Sequence, residues 1–295
     1  MTSLGNNIKV HFAGSDRGHG ESVIDSLRLA GVNYRLFSVF GYINGKQVGE
    51  DFTDKTGAAA RSCEEFKHVI LDSGLFTLMF GAGKGKAQTV KSLTEWQDKT
   101  FEFIKQNKLT CTLVEIDCQK VLGVEQAWHF RTRARNQLRN RQINVFHYED
   151  GKDGFDRLID FSEYIAISVP EIRIIHPKTF REDVYRLASY AKNRKPSIDI
   201  HLLGCTDKKM LCQNRFCTSA DSSSWTGVYR FATIAGRSAY SIKPEILNRY
   251  ERRYKDFLGG KWDQLTEKKK RWLVWELFSA ELHKKIYTQY AGDQS

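Results

Sequence analysis

The feature that most constrains this fold is an alternation of short β-rich runs with longer helical stretches, sustained from residue 8 almost to the end. The runs Ile8–Phe12, Tyr34–Phe40, His68–Leu71, Thr112–Ile116, Ile143–His147, Tyr164–Ser168 and Ile198–Leu203 read as strands, with final short strands near Phe216–Ala220 and Val228–Ile234. Helical periodicity marks Glu21–Leu29, Thr94–Gln106 with Thr94 as its cap, Gly123–Asn140, Phe155–Phe161, Thr179–Lys192, Pro244–Leu258 and Thr266–Tyr290. Strands that are apolar throughout are buried on both faces, which requires crossover helices and a parallel sheet. That number of units in 295 residues favours an α/β fold closed as a (β/α)8 TIM-type barrel over an open doubly wound sheet. The Rossmann alternative lacks its turn, since no strand is followed by Gly-x-Gly-x-x-Gly. With 4 prolines and no Gly/Ser-rich or Pro-rich linker, the chain reads as one domain. Its barrel core is expected over about 8–240, with a basic helical region over 243–290, and Asp51–Arg61 reads as a loop.

In such a barrel the reactive groups project from the carboxyl ends of the strands. Here those ends read Asp72-Ser73-Gly74, Asp117-Cys118-Gln119, His147-Tyr148-Glu149-Asp150, Gly204-Cys205-Thr206-Asp207 and Asp221-Ser222-Ser223-Ser224-Trp225. A single Asp at a strand end is commonly a turn residue or helix cap. Several acids converging on one mouth fit glycosidic chemistry, which needs two carboxylates about one anomeric carbon. Asp117 has the further reading of an ion pair with an arginine, and His147 that of a satisfied core histidine.

The net charge of +11 favours a polyanionic partner. The cations cluster at Arg131, Arg133, Arg135, Arg139 and Arg141, at Arg249, Arg252, Arg253 and Lys255, and at Lys268, Lys269, Lys270 and Arg271. Each cluster alone fits a solvated helix face; three together favour a surface that tracks a nucleic-acid backbone. Lys84 and Lys86, in the Gly-rich stretch from Gly81, are expected to reach phosphates beside the Asp72 strand. That stretch is not a P-loop: position 80 is Phe and Ala87 stands where Ser or Thr would hold magnesium. Trp225, Trp262, Trp272 and Trp275 offer stacking surfaces, although aromatics at helical spacing also build cores. The six cysteines, at 63, 111, 118, 205, 212 and 217, form no Cys-x-x-Cys pair, so no zinc site is expected. Free thiols, with no signal-peptide pattern and no apolar run of membrane-spanning length, lead to the expectation of a cytoplasmic protein without membrane contact.

Five stretches in order carry a resemblance: Leu71-Asp72-Ser73-Gly74, Glu115-Ile116-Asp117, Val145-Phe146-His147, His201-Leu202-Leu203-Gly204 and Ala220-Asp221-Ser222-Ser223-Ser224-Trp225. With them the chain resembles the tRNA-guanine transglycosylase superfamily, and more closely its viral and bacterial branch that inserts 7-deazaguanines into DNA. The resemblance implies Asp221 as the nucleophile that forms a glycosyl ester and Asp72 as the general acid/base. It implies Asp117 as the acceptor for the amino and ring N–H groups of the base. His147 stands where the tRNA enzymes carry a glutamine that meets the base carbonyl. Ile167 and Ser168 stand where a glycine pair supplies backbone amides. Ser73, Gly74 and Gly204, flanking these groups, complete the expected substrate-binding set.

The tRNA enzymes of the superfamily also hold a structural zinc through Cys-x-Cys-x-x-Cys and a later His, a spacing these cysteines cannot supply. DNA is therefore the expected polymer, with a free 7-deazaguanine base such as the 7-cyano compound as second substrate and no cofactor. A base inside a duplex must be extruded before attack. Trp225 is the first candidate for the inserted side chain, with Arg249, Arg252 and Arg253 on the backbone. The rivals are a tRNA transglycosylase, a hydrolytic DNA glycosylase or nucleoside hydrolase, and an inactive nucleic-acid-binding barrel.

Overall fold

The computed structural model describes residues 7–14, 20–44, 48–80, 87–205 and 207–292. Lys84 and Lys86 lie outside these residues.

Eight parallel strands close on themselves in chain order. They are β1 (Lys9–Gly14), β2 (Tyr34–Ser38), β3 (His68–Asp72), β4 (Thr112–Val114), β5 (Gln142–Phe146), β6 (Tyr164–Ser168), β7 (Asp199–Leu203) and β8 (Ser219–Ser222). The seam is β8 on β1, in register from Lys9↔Ser219 to Phe12↔Ser222. Between the first four strands run α1 (Gly20–Leu29), α2 (Phe40–Ile43), α3 (Ala58–Glu65), α4 (Leu75–Phe80) and α5 (Val90–Gln106). Then come α6 (Gln119–Leu122), α7 (Val124–Gln137), α8 (Gly151–Phe161), α9 (Val169–Ile175), α10 (Phe180–Arg194) and α11 (Lys208–Gln213). After β8 follow α12 (Gly227–Phe231), a hairpin of β9 (Thr233–Ile234) and β10 (Arg237–Ser238), α13 (Pro244–Leu258) and α14 (Glu267–Ala291). The TIM-type barrel with added C-terminal helices expected from the alternation is thus the fold.

The differences lie in the short elements. The expected strand over Tyr34–Phe40 stops at Ser38, and Phe40 opens α2. The last barrel strand is Ser219–Ser222 rather than Phe216–Ala220, which places Asp221 inside the ladder. Val228 belongs to a helix, not a strand, because packing on Trp275 outweighs its β-propensity. The cap of α5 is Thr89, whose hydroxyl accepts from Ser92 N while Ser92 Oγ accepts from Thr89 N. Thr94 instead sits inside the helix, donating to Val90 O. The last residues of the expected loop Asp51–Arg61 begin α3.

Side-chain alternation divides the core. Phe12, Phe37, Leu71, Phe146 and Leu202 join the large cluster under the helices, whereas Ala13, Leu36, Ile70, Val114, Ile143, Val145 and Ala166 form a separate one. The separate set is the filling of the barrel's interior. Beside it runs a polar layer. His68 Nε2 meets Thr112 Oγ1 at 2.9 Å and His11 Nε2 meets His68 Nδ1 at 2.7 Å. His201 Nδ1 meets Ser219 Oγ at 2.5 Å, and that hydroxyl bonds to Tyr164 OH. Burial, with His68 and His201 nearby, holds His11 well below the usual histidine range. Burial, then the Lys9 cation, brings His68 down to about 4.

The first two basic clusters are partly spent on the fold. Arg131 is buried and bidentate to Glu115 at 2.6 Å on both arms, and Glu115 Oε1 also accepts from Val145 N. Arg133 pairs with Asp98, Arg135 donates to Phe161 O and Arg141 pairs with Asp199. Arg249 and Arg253 both pair with Glu281 on α14, while Arg252 is exposed. These contacts correct the expectation for Arg131, which is buried, whereas Arg135, Arg139 and Arg141 are exposed, the last two beyond the end of α7. The contacts also tie Arg249 and Arg253 into the α13–α14 contact. Trp225 is corrected as well. It is fully buried, donates Nε1 to Ala13 O at 2.8 Å, and lies under α14, where Ser279 Oγ donates to its carbonyl. An indole so packed cannot enter a duplex without unfolding the β8–α14 joint. Trp262 and Trp275 are likewise buried. Among the described residues, no helix is long and apolar enough to cross a membrane.

Candidate active site

The strands end at one mouth, and the geometry of parallel strands brings the expected acids there. Asp72 is the last residue of β3, and its partner in register is Ser38 at the end of β2. A tight turn follows in which Gly74, at φ 74°, points its N–H at Asp72 Oδ2, 3.0 Å away. A Cβ on Gly74 would stand 2.8 Å from Phe40 Cβ, so both the backbone conformation and the space exclude a side chain. Ser73 is buried, and its carbonyl accepts from Trp96 Nε1 at 2.8 Å. Ser73 and Gly74 thus hold Asp72 in place. Asp72 is half-buried, protein surrounds its carboxyl, and among the described residues no cation forms an ion pair with it. Burial first, then the Asp117 and Asp221 charges, push it up to about 6, against the bonds from Gly74 and Ser38.

Asp221 lies across the seam, 8% exposed. Gly204, just past β7 at φ 64°, donates its N–H to Asp221 Oδ1 at 2.6 Å, and His201 Nε2 stands 3.1 Å from the same oxygen. A Cβ on Gly204 would meet Pro170 Cγ at 2.9 Å. Both contacts fall on Oδ1, so among the described residues Oδ2 carries no hydrogen bond. One oxygen is anchored and the other is open to react. Behind His201 the chain continues through Ser219 to Tyr164, fixing the ring that fixes the acid. His201 was legible as part of a strand-end motif, but nothing in its spacing identified Asp221 as its partner.

The third region joins the ends of β4, β5 and β6. His147 Nε2 lies 3.2 Å from Asp117 Oδ2, and Nδ1 lies 2.7 Å from Glu171 Oε2. The Nδ1 contact is off the line of an ideal hydrogen bond, so it acts chiefly as an ion pair. Burial alone would pull this imidazole down, but the two carboxylates raise it to about 10, so it is a cation at neutral pH. Lys120 Nζ then meets Glu171 at 2.9 Å. The sequence reading missed Glu171 and Lys120. The signal was Val169-Pro170-Glu171, a proline in the first turn of α9 with an acid next to it. The ion pair considered for Asp117 exists, with a histidine in place of an arginine. The base-contact role expected for His147 meets a ring already engaged at both nitrogens. Ser168 is buried at the end of β6, and Ile167 points into the outer core.

His147, Glu149 and Glu171 could each offer one ligand atom to a metal, all within 4.8 Å of one another. Their charge is already met from within, by the imidazolium and by Lys120, which also lies 4.0 Å from Glu149.

No protein-family model matches this chain, and no curated protein does. Among solved structures it is similar to the chloride-inhibited dihydrodipicolinate synthase of Acinetobacter baumannii in complex with pyruvate. The match has TM-score 0.42 and 11% identity and covers 94% of this chain and 99% of that one. It is also similar to the carboxyl transferase domain of Rhizobium etli pyruvate carboxylase with 3-bromopyruvate, at TM-score 0.44 and 10% identity. That match covers 97% of this chain, which spans about half the length of the other (49%). Likenesses this distant carry no chemistry to the present mouth.

Proposed function

We propose that this chain is a DNA-guanine transglycosylase, exchanging a guanine in DNA for a 7-deazaguanine base by double displacement. Asp221 Oδ2 attacks C1′ of the target nucleotide, the C1′–N9 bond breaks, and the departing guanine takes a proton from Asp72. The incoming base then loses its N–H proton to the Asp72 carboxylate and attacks C1′. The ester to Asp221 breaks and the configuration at C1′ is retained overall.

The observation that carries this reading is the unequal treatment of two carboxylates in one mouth. Asp72 is held near 6, where it can give and take a proton at neutral pH, and no cation among the described residues pairs with it. Asp221 has one oxygen tied by Gly204 and His201 and the other without a bond among the described residues. Carboxyl groups whose surroundings separate their roles are how one mouth supplies both an acid/base and a nucleophile. Asp117, fixed by a cation behind it, suits the donor edge of a guanine-like base, and leaving such an acceptor unpaired penalises a base without donors.

The test is base exchange on duplex DNA, single-stranded DNA and tRNA with 7-cyano-7-deazaguanine, read by nucleoside mass spectrometry. A deazaguanine deoxynucleoside that disappears with Asp221→Ala is expected. Product in tRNA alone would assign the tRNA reaction, and abasic DNA formed without added base would assign a hydrolase.

A further inference from the structure

The segment that follows Asp221 has a composition unlike the rest of the chain. From Ser222 to Pro244 there is no Asp or Glu, while Arg230, Arg237 and Lys243 are present. In space it is a small platform. The 3₁₀ turn Ser224–Thr226 leads from the β8 end into α12 and then into the β9–β10 hairpin. The underside is anchored: Val228, Ile234 and Ala239 pack on Trp275 of α14, and Ala239 N donates to Ala232 O at 2.7 Å.

The outer side is open. Phe231 is 74% exposed and Tyr240 68% exposed, and Arg230 and Arg237 are exposed with no ion-pair partner among the described residues. Arg271, exposed in the first turns of α14, joins this face: its guanidinium lies 5.9 Å from the Trp275 ring, against which Tyr240 also packs at 4.8 Å. The backbone is strained where it presents this face. Ala235 and Gly236, the two turn residues, have φ of 49° and 81°, as a type I′ turn requires, and Ala232 at the end of α12 also has φ 49°. Left-handed alanine costs on the order of 1 kcal/mol, and such strain gathers at functional surfaces.

A large aromatic ring held in solvent by a rigid, acid-free, arginine-bearing platform fits an unpaired polynucleotide strand. Stacking needs a base whose face is free, and a paired duplex offers none except at its ends, while the arginines follow the phosphates whatever the sequence. We propose that the α12–β9–β10 platform is the strand-binding surface beside the mouth. In it Phe231 stacks on a base of single-stranded DNA next to the target, and Arg230, Arg237 and Arg271 hold its phosphates. This rests on the transglycosylase reading for the identity of the strand, and it gives Phe231 the part that the buried Trp225 cannot play.

The test is fluorescence anisotropy of labelled poly(dT), which contains no guanine, so that binding is read apart from base exchange. Phe231→Ala is expected to weaken poly(dT) binding about tenfold at one salt concentration, with an unchanged salt slope and unchanged thermal unfolding, and Phe231→Trp to restore it. Arg230→Ala with Arg237→Ala is expected to lower the slope of log affinity against log salt by about 1.4, at about 0.7 per lost phosphate contact. Wild-type affinity of Phe231→Ala for poly(dT), or an equal loss toward heparin, which has no bases, would overturn the platform and leave the chemistry standing. Tighter binding to poly(U) than to poly(dT) would overturn the assignment to DNA. Intact poly(dT) binding with no exchange on guanine-containing DNA would overturn the transglycosylase reading and leave the platform.

Discussion

Asp72 and Asp117 end neighbouring strands of the same sheet and meet opposite surroundings. Around Asp72 there are two neutral donors, Gly74 N–H and Ser38, and two like charges. Around Asp117 the charges alternate outward, carboxylate, imidazolium, carboxylate, ammonium, through His147, Glu171 and Lys120. The difference teaches that this mouth does not simply collect acids. It keeps one proton loose and fixes another, and the fixed one supports the acceptor. A carboxyl raised to about 6 can change state during a reaction, whereas one held in an ion pair orients what binds to it.

The strongest way to break the comparison is to remove the loose proton. Asp72→Asn is expected to lower kcat for base exchange by about 10²–10⁴-fold. In the wild type, single-turnover guanine release should fall as pH rises through about 6, because the departing base needs the protonated acid. The variant should lose that dependence. Release that keeps the same profile in Asp72→Asn would mean that another group supplies the proton.

Removing the fixed proton should act on stability first. His147→Gln leaves Asp117 and Glu171 facing each other without their cation, at a cost of about 3 kcal/mol in urea unfolding at neutral pH. The sign follows from the direction of the shift. His147 is raised from 6.5 to about 10, so its contribution is fully present below 6.5 and is lost as pH rises through 10. The gap between wild type and variant should therefore narrow at the alkaline end. A gap that stays constant with pH would show that packing, not charge, is what His147 supplies. The smallest effect is expected at the outer end of the chain. Lys120, with 44% of its side chain exposed, should give up no more than about 1 kcal/mol as Lys120→Met, and less in high salt.

The barrel was readable because its signal is redundant: each apolar strand repeats the same requirement for burial on both faces, and a closed ring is what satisfies all of them. Asp72, Asp117, His147 and Asp221 were readable because strand ends are fixed by the same repeat. The partners that decide what these groups do were not. Glu171 reaches His147 from a helix that sequence periodicity passed over. His201 meets Asp221 only through the register of β7 on β8. Arg131 and the indole of Trp225 misled for the opposite reason. Charge and aromatic surface mark nucleic-acid contact only when they face solvent, and a sequence does not say which way Arg131 or Trp225 faces. Phe231, which does face solvent, lay in a run that reads as a strand.

The seam between β8 and β1 has a further consequence, for how the molecule is made. Every other pair of neighbouring strands is joined by a single crossover, but His11 and Ala220, in contact across the seam, are 209 residues apart in the chain. Ile8 reaches further still, donating its N–H to Ala291 O at the end of α14. Loop-closure entropy and the order of synthesis both delay these contacts until the rest of the chain is available. Asp221 acquires its neighbours on β1 in that last step, so a nascent chain would carry a half-built barrel whose open edge strands are β1 and whichever strand had most recently emerged.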